Sequence, residues 1–501
     1  MLKIQDLTFT YTRQEKPALS NINLDISPGK LVLLTGPSGS GKSTLVHCIN
    51  GLAPQHYGGK LDGEIWIAGR ETAGKTLWQI SELTGTVFQN PNTQFFQLTV
   101  EDEIAFGLEH SGLDRQEIKK RIDKAIEDIE IESLRNRDIF TLSSGEKQKV
   151  ALASIIAMDQ PLLLLDEPTA NLDIPSIHEL KKLLAKLKNQ GRTIIVSEHR
   201  LWYLRGLADQ VIVIKDGQLI YDGKPEILNS SQFRNEIGLR IWAKPPKITD
   251  SEHNNLRQRT VLDVSRLSGG AGNKKDILNN VNFSFNAGEC IAIMGHNGVG
   301  KTMFSRLLTG LQKESHGIIK INGTALKHKS RIGQIGCVTQ QAEQQLFSDT
   351  VLGELLLNPK DNATEADKAK DILRQYGLIA LKDRHPQTLS GGEKQRLAIA
   401  ASIAMNNEII ILDEPTSGMD MKRMKMLAQE VKNLCSQGIL VIIITHDIEL
   451  VSLCCDKIAW MENGTVAKTL ERDQYNELFI KLLKFDRTER HNDEMHGCLL
   501  K

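Results

Sequence analysis

One ordered set of short motifs is written twice along this chain, in the same register. Gly36-Pro37-Ser38-Gly39-Ser40-Gly41-Lys42-Ser43 returns as Gly295-His296-Asn297-Gly298-Val299-Gly300-Lys301-Thr302. Leu142-Ser143-Ser144-Gly145-Glu146 returns as Leu389-Ser390-Gly391-Gly392-Glu393, and Leu165-Asp166-Glu167-Pro168-Thr169 as Leu412-Asp413-Glu414-Pro415-Thr416. From Ser143 to Asp166 and from Ser390 to Asp413 the distance is 23 residues; from each aspartate to His199 or His446 it is 33. Chance does not hold two spacings fixed across two copies. The chain is therefore read as two like halves, each with its own core.

Length agrees, since 501 residues exceed what one hydrophobic core usually serves. We expect domains over 1–235 and 259–485, a linker over 236–258 containing Lys244-Pro245-Pro246-Lys247, and a polar tail over 486–501. A formal net charge of zero argues against a general nucleic-acid binder, which normally carries a basic excess. Seven cysteines without a CxxC pair suit a reducing compartment, and the adjacent Cys454 and Cys455 are not expected to bridge. The longest apolar runs, such as Ile439–Ile444, have strand length, far short of the ~20 residues that cross a bilayer. Met1-Leu2-Lys3-Ile4 enters directly on a strand pattern, so no signal peptide is expected.

Each half alternates buried strands with helices. Leu31–Leu34 feeds the glycine-rich loop and a helix expected from Thr44 to Leu52; Leu162–Leu165 and Thr193–Val196 read as further buried strands. Apolar strands alternating with helices imply an α/β fold with a mostly parallel sheet covered on both faces. Ile118, Ile122, Ala125, Ile126 and Ile129 stripe one face of a helix between Gln89 and Ser143, which we read as core packing of an inserted helical subdomain.

GxxxxGK[ST] after an apolar strand is a phosphate-binding loop: bare amides curl around the β- and γ-phosphates, and the next helix adds its positive end. Lys42 and Lys301 would neutralise phosphate oxygens, with Thr44 beside the loop, while the hydroxyls of Ser43 and Thr302 would reach Mg²⁺. Asp166 and Asp413 end apolar strands, where a carboxylate can hold Mg²⁺. Glu167 and Glu414 would accept a proton from, or orient, the attacking water. Gln89 and Gln340 follow short strands at Thr86–Phe88 and Cys337–Thr339; a neutral amide there can serve both Mg²⁺ and water. His199 and His446 could donate to the γ-phosphate. A lone glutamine or histidine would be read as structural; the repeat reverses that. Ser143-Ser144-Gly145 and Ser390-Gly391-Gly392 precede apolar helices expected at Val150–Met158 and Leu397–Met405, and form a second anion site in each half. Two such sites per half suggest a head-to-tail pair, each nucleotide held between the loop of one half and the signature of the other.

Together these motifs resemble the ATP-binding cassette (ABC) ATPases over nearly the whole chain, twice: phosphate loop, glutamine loop, signature, acidic pair, D-loop (Asn171-Leu172-Asp173; Gly418-Met419-Asp420) and switch histidine. The resemblance implies two P-loop cassettes, each with an antiparallel β subdomain and an inserted helical subdomain, that pair within the chain around two ATP molecules with Mg²⁺. Val87-Phe88-Gln89-Asn90-Pro91-Asn92-Thr93-Gln94-Phe95-Phe96 and Thr99–Gly107 are similar to ATPases of energy-coupling factor importers of vitamins or metal ions. Gln340-Gln341-Ala342-Glu343-Gln344-Gln345-Leu346-Phe347 is a weaker echo. The likeness implies a transmembrane coupling subunit docked on Asn90–Phe96 and Gln341–Phe347, a small membrane substrate-binding subunit, no nucleic acid, and a peripheral position on the cytoplasmic face of the membrane.

The halves are not identical. Tyr11 suits an adenine-stacking position, and its counterpart falls in Ser268-Gly269-Gly270-Ala271, without an aromatic. Ser144 adds a Cβ where the second signature has Gly391. Both departures fall on the site of Lys301, so the site of Lys42 is expected to bind ATP more tightly. A tandem-cassette translation factor fits less well, because the connector is short and carries Pro245-Pro246; a chromosome or repair ATPase would need zinc ligands or coiled coils. A sugar-importer ATPase of this length often has one degenerate cassette, whereas both acidic pairs here are intact. The complete catalytic set argues against a non-enzymatic scaffold.

Overall fold

Leu2, Ile4, Leu7 and Phe9 alternate in burial with polar neighbours along the first strand, as expected for an antiparallel sheet with one face on the core. The computed structural model describes residues 1–12, 14–243, 259–270, 276–339, 342–357 and 364–483. It divides into two units, Met1–Lys244 with Gly418–Lys422, and Pro245–Ser417 with Arg423–Lys501. The expected linker segment Lys244–Lys247 and the polar tail lie outside the described residues.

The first unit runs β1 (Leu2–Tyr11), β2 (Leu19–Ile26), β3 (Leu31–Thr35), α1 (Lys42–Ile49), α2 (Leu52–Gln55), β4 (Gly59–Ile67), β5 (Arg70–Glu71), α3 (Leu77–Ser81) and β6 (Thr84–Val87). It continues with α4 (Val100–Glu109), α5 (Arg115–Ile129), α6 (Ser144–Ala157), β7 (Leu162–Asp166), α7 (Ile174–Asn189), β8 (Thr193–Ser197), β9 (Gln210–Lys215), β10 (Gln218–Gly223) and α8 (Ser231–Ile237). An antiparallel sheet has the order β2-β1-β4-β5, and a larger sheet the order β10-β9-β3-β8-β7-β6, parallel except at the β10 edge. Residues of both sheets and of α1 share one apolar core. The helices α4, α5 and α6 pack on one another, and the Ile122, Ala125, Ile126 and Ile129 stripe of α5 is buried.

The second unit repeats the plan: β11 (Thr260–Gly269), β12 (Leu278–Asn286), β13 (Cys290–Gly295), α9 (Lys301–Thr309), β14 (His316–Ile321), β15 (Thr324–Ala325), α10 (His328–Arg331) and β16 (Gly336–Val338). Then follow α11 (Val351–Leu355), α12 (Thr364–Gln375), α13 (Gly391–Ala404), β17 (Ile409–Asp413), α14 (Met421–Ser436), β18 (Leu440–Ile444), α15 (Ile448–Cys454), β19 (Lys457–Glu462), β20 (Thr465–Glu471) and α16 (Tyr475–Leu483). Its sheets have the orders β12-β11-β14-β15 and β16-β17-β18-β13-β19-β20, the same topology as in the first unit. No described helix is long and apolar enough to cross a membrane.

Helix ends differ from the expectations for local reasons. The first phosphate-loop helix begins at Lys42 and stops at Ile49, because Gly51 turns the chain at φ 80°. The signature helices begin earlier than expected, at Ser144 and Gly391. Ser143 and Ser390 each cap their helix by accepting from the backbone N–H three residues on, and the side chains of Glu146 and Glu393 return the bond.

One buried charge is specific to the second unit. Arg331 has no exposed surface, and it donates to both carboxylate oxygens of Glu314 (2.6 and 3.3 Å) and to the carbonyls of Leu307 and Leu326. Burial, the largest single influence, works against the Glu314 carboxylate, but the hydrogen bonds and charge of Arg331, with a backbone hydrogen bond and the neighbouring His328, together hold the group below its ordinary range.

Candidate functional site

In the first unit, β3 ends at Thr35 and the chain turns through Gly36–Gly41 into α1. Gly36 (φ 151°) admits no side chain, since a Cβ would lie 1.9 Å from the Ile214 carbonyl oxygen; Gly41 takes φ 105° as the N-cap of α1. Lys42 Nζ donates to the carbonyls of Gly36 and Pro37 at 3.0 and 2.9 Å. Burial lowers the pKa of Lys42 and the carboxylate of Glu167 opposes that shift. The second unit builds the same loop: Gly295 (φ 154°), Gly300 (φ 105°), and Lys301 donating to Gly295 and His296 at 2.9 Å each.

Around Lys42 the strand ends bring Gln89, Asp166, Glu167 and His199 together. Gln89 Nε2 donates to Glu167 Oε2 at 2.8 Å, and His199 Nε2 lies 3.4 Å from Glu167 Oε1 and 3.5 Å from Ser38 Oγ. Burial pushes Glu167 up to about 8, with the neighbouring charges of Glu198 and Asp166 adding and Lys42 opposing. Asp166 is buried, and its Oδ1 has no hydrogen-bond partner among the described residues. A buried carboxylate oxygen with nothing to accept from suits a hard divalent cation. The residues present therefore fit Mg²⁺.

In the second unit His446 Nε2 lies 3.5 Å from Glu414 Oε1 and hydrogen-bonds Asn297 Oδ1 at 2.9 Å. Burial raises Asp413, and Lys301 opposes it. Gln340 lies outside the described residues. The signature residues Ser143, Ser144, Ser390 and Gly391 stand exposed at the heads of α6 and α13. A Cβ on Gly145 would stand 2.9 Å from Ser176 Oγ, whereas one on Gly391 or Gly392 would meet nothing within 4 Å. Among the described residues, the hydroxyl and backbone N–H of Ser143 and of Ser390 bond Glu146 and Glu393 rather than the lysine clusters of their own units. Tyr11 sits beside the start of α1, its hydroxyl 3.1 Å from Thr44 Oγ1; Ala271, in the corresponding stretch of the second half, lies outside the described residues.

Three groups escaped the sequence reading. Glu198 is buried and accepts from Thr169 Oγ1 (2.7 Å), His199 N (2.9 Å), Arg200 N (3.1 Å) and Tyr203 OH (3.3 Å). It thus fixes the turn that carries His199. The second copy has Thr445 there, and its hydroxyl instead donates to Glu414 Oε2 at 3.2 Å. A search for shared residues discards this position, because the copies differ. Glu103 and Glu354, by contrast, lie 14 residues after Gln89 and Gln340 in both copies. Each is buried. Glu103 Oε2 accepts from the backbone N–H groups of Phe96 and Gln97 at 2.9 Å, and Glu354 Oε2 from Phe347 and Ser348 at 3.1 and 2.8 Å. The repeated spacing was a signal that could have found them. Their bonds hold the loop after each glutamine with Phe96 (72% exposed) and Phe347 (79%) turned to solvent. Lys147 and Lys394, just inside the signature helices, tie down the same loops by donating to Asn92 Oδ1 (2.8 Å) and Glu343 Oε2 (3.1 Å).

The family model described as ABC transporter matches residues 19–170 and 278–417. A Treponema denticola protein named as an ABC transporter ATP-binding protein is 39% identical over 495 residues, covering 97% of this chain and 100% of the relative. A Bacillus subtilis protein named as an HMP/thiamine import ATP-binding protein, YkoD, is 34% identical over 501 residues, covering 93% of this chain and 91% of its own. The structure of an archaeal ribosome recycling factor, aABCE1, in complex with the ribosomal stalk protein aP1, matches with a TM-score of 0.62 at 22% identity, covering 95% of this chain and 92% of that one; identity that low speaks for the fold alone. Two matches to one family model, each over a phosphate loop, a signature and an acidic pair, make this chain a member of the ABC transporter family of ATPases: an ATP-binding subunit with tandem cassettes.

Proposed function

We propose that the chain powers import of a vitamin or a metal ion through separate membrane subunits of the energy-coupling type, from the cytoplasmic face of the membrane. The observation that carries this reading is the twice-built loop after the catalytic glutamine. A buried carboxylate clamps its backbone, and a large aromatic stands in solvent where a membrane subunit could take it up. The Bacillus relative, named for HMP/thiamine import, makes a thiamine precursor the first substrate to try.

Within each cassette, Lys42 or Lys301 and the loop amides hold the β- and γ-phosphates. Ser43, Gln89 and Asp166, and in the second half Thr302, Gln340 and Asp413, hold Mg²⁺, which when bound draws charge from the phosphate oxygens. Glu167 and Glu414 take a proton from the attacking water, and His199 and His446 donate to the γ-phosphate. Ser143-Ser144-Gly145 and Ser390-Gly391-Gly392 supply the second set of phosphate donors.

Co-expression with candidate membrane subunits, a coupling protein and a small hydrophobic substrate-binding protein of the energy-coupling type, tests the reading. Recovery of a detergent-stable complex whose proteoliposomes take up a labelled vitamin or metal ion in an ATP-dependent way is the expected result. ATP turnover that no membrane partner stimulates would overturn it. In the same assay Phe96→Ala combined with Phe347→Ala should lower recovery of the complex by about tenfold or more, as losing two aromatic anchors would. Nucleotide binding tests the inequality of the halves. Tyr11→Ala should weaken ATP binding by ~1 kcal/mol, about fivefold. Lys42→Ala should cost more affinity than Lys301→Ala, and equal losses would count against the assignment.

A further inference from the structure

Three of the seven cysteines, Cys290 and the adjacent pair Cys454 and Cys455, meet at one corner of the second unit, with Cys435 nearby. Cys290 opens β13, Cys454 closes α15, Cys455 follows it, and Cys435 lies in the last turn of α14. The sulfurs of Cys290, Cys454 and Cys455 all lie within 4.8 Å of one another, and all three residues are buried. The Cys290 and Cys455 sulfurs are 3.6 Å apart. That is far beyond a disulfide bond of about 2.05 Å. It is close to the edge of a tetrahedron of thiolates around zinc, where Zn–S bonds of about 2.3 Å place sulfurs about 3.8 Å apart. Cys435 stands beside Cys290 but outside that group of three, so its thiol would move inward to complete a tetrahedron. Gly288 lets α14 come this near, since a Cβ there would stand 2.8 Å from the Cys435 carbonyl oxygen.

Free cysteines often serve only as small core hydrophobes. The first unit shows that the fold does not need them here. In that unit Leu31 N donates to Asp209 Oδ2 at 2.9 Å, as Cys290 N donates to Asp456 Oδ2 at 2.9 Å in the second. The matched corner holds Leu31, Lys188, Leu207 and Ala208, and not one thiol. The second unit therefore has sulfur at all four positions of a corner that the same fold builds without any.

The surroundings suit a cation-binding thiolate set. Asp456 fixes the start of β13 against the turn after α15. Arg472 donates to the carbonyls of Cys455 (2.7 Å) and Ser452 (3.1 Å), so the backbone bearing two of the sulfurs is held before any ion arrives. Thiolates around a divalent ion leave net negative charge, and Arg472, with Lys432 whose charge acts on Cys454, has the sign that offsets it. We propose that Cys290, Cys454 and Cys455, with Cys435 as the fourth donor, form a structural zinc site that pins the strand feeding the Gly295–Lys301 loop to the end of the helix following His446. Binding would release the thiol protons to solvent and involve no redox step.

The test uses the full, untagged chain, purified under reducing conditions without chelator and analysed by elemental mass spectrometry. We expect about one zinc per chain, reduced at least about tenfold by Cys290→Ser and by Cys455→Ser and kept by Cys337→Ser. So that unfolding of a serine variant does not decide the matter, reduced wild-type protein is in parallel freed of metal with a chelator and titrated with cobalt. Intense thiolate-to-cobalt charge-transfer bands are expected, and zinc should bleach them. Absence of those bands, zinc retained in both serine variants, or a Cys290–Cys455 disulfide in the isolated protein would each overturn the proposal.

Discussion

Glu167→Gln is expected to lower steady-state ATP hydrolysis by about 10²–10⁴-fold if the first centre carries most of the turnover, and Glu414→Gln to do the same for the second. Each substitution keeps the shape of the side chain and removes the group that can accept a proton. Gln89 donates to one Glu167 oxygen and His199 lies beside the other, so the carboxylate is oriented from both sides. Nucleotide binding should survive, because Lys42 and the loop amides do not pass through this side chain. Phosphate release measured on the two single variants and the double variant separates the centres. A double variant with unchanged hydrolysis would remove Glu167 and Glu414 from the chemistry altogether.

A comparable loss is expected in stability from the pair at the edge of the second unit. Glu314→Gln leaves the Arg331 guanidinium buried beside a neutral amide. Taking one partner from a buried ion pair commonly costs about 3–5 kcal/mol; the partial exposure of Glu314 points to the lower end of that range. Urea unfolding should show the second unit melting earlier and the first unchanged. The effect depends on pH. The folded pKa of Glu314 is depressed, so its stabilisation is present above the unfolded value of about 4.3 and fades as pH falls through the folded one. The gap between wild-type and Glu314→Gln protein should therefore close in acid. A gap that widens there would contradict the pairing.

The sheet was legible because β3, β7, β8 and their counterparts are uninterrupted apolar runs, a pattern that only a strand covered on both faces tolerates. The lysine, the acidic pair and the histidine were legible because identity across the copies marked them out. Helix starts were read late, since α6 and α13 open on Ser-Gly-Glu stretches whose capping geometry outweighs their weak propensity. Glu198 was hidden because the copies differ there. The cysteine corner was hidden because Cys290 lies far in sequence from the adjacent Cys454 and Cys455 and the set follows no metal-ligand spacing; only the fold brings the start of β13 to the end of α15.

The exchange of Glu198 for Thr445 carries a wider consequence. Where a transporter is driven by two copies of one polypeptide, every change in an engine is made in both at once. Joining the engines in a single polypeptide frees each to be tuned on its own, and means that the two kinds are always made in equal number.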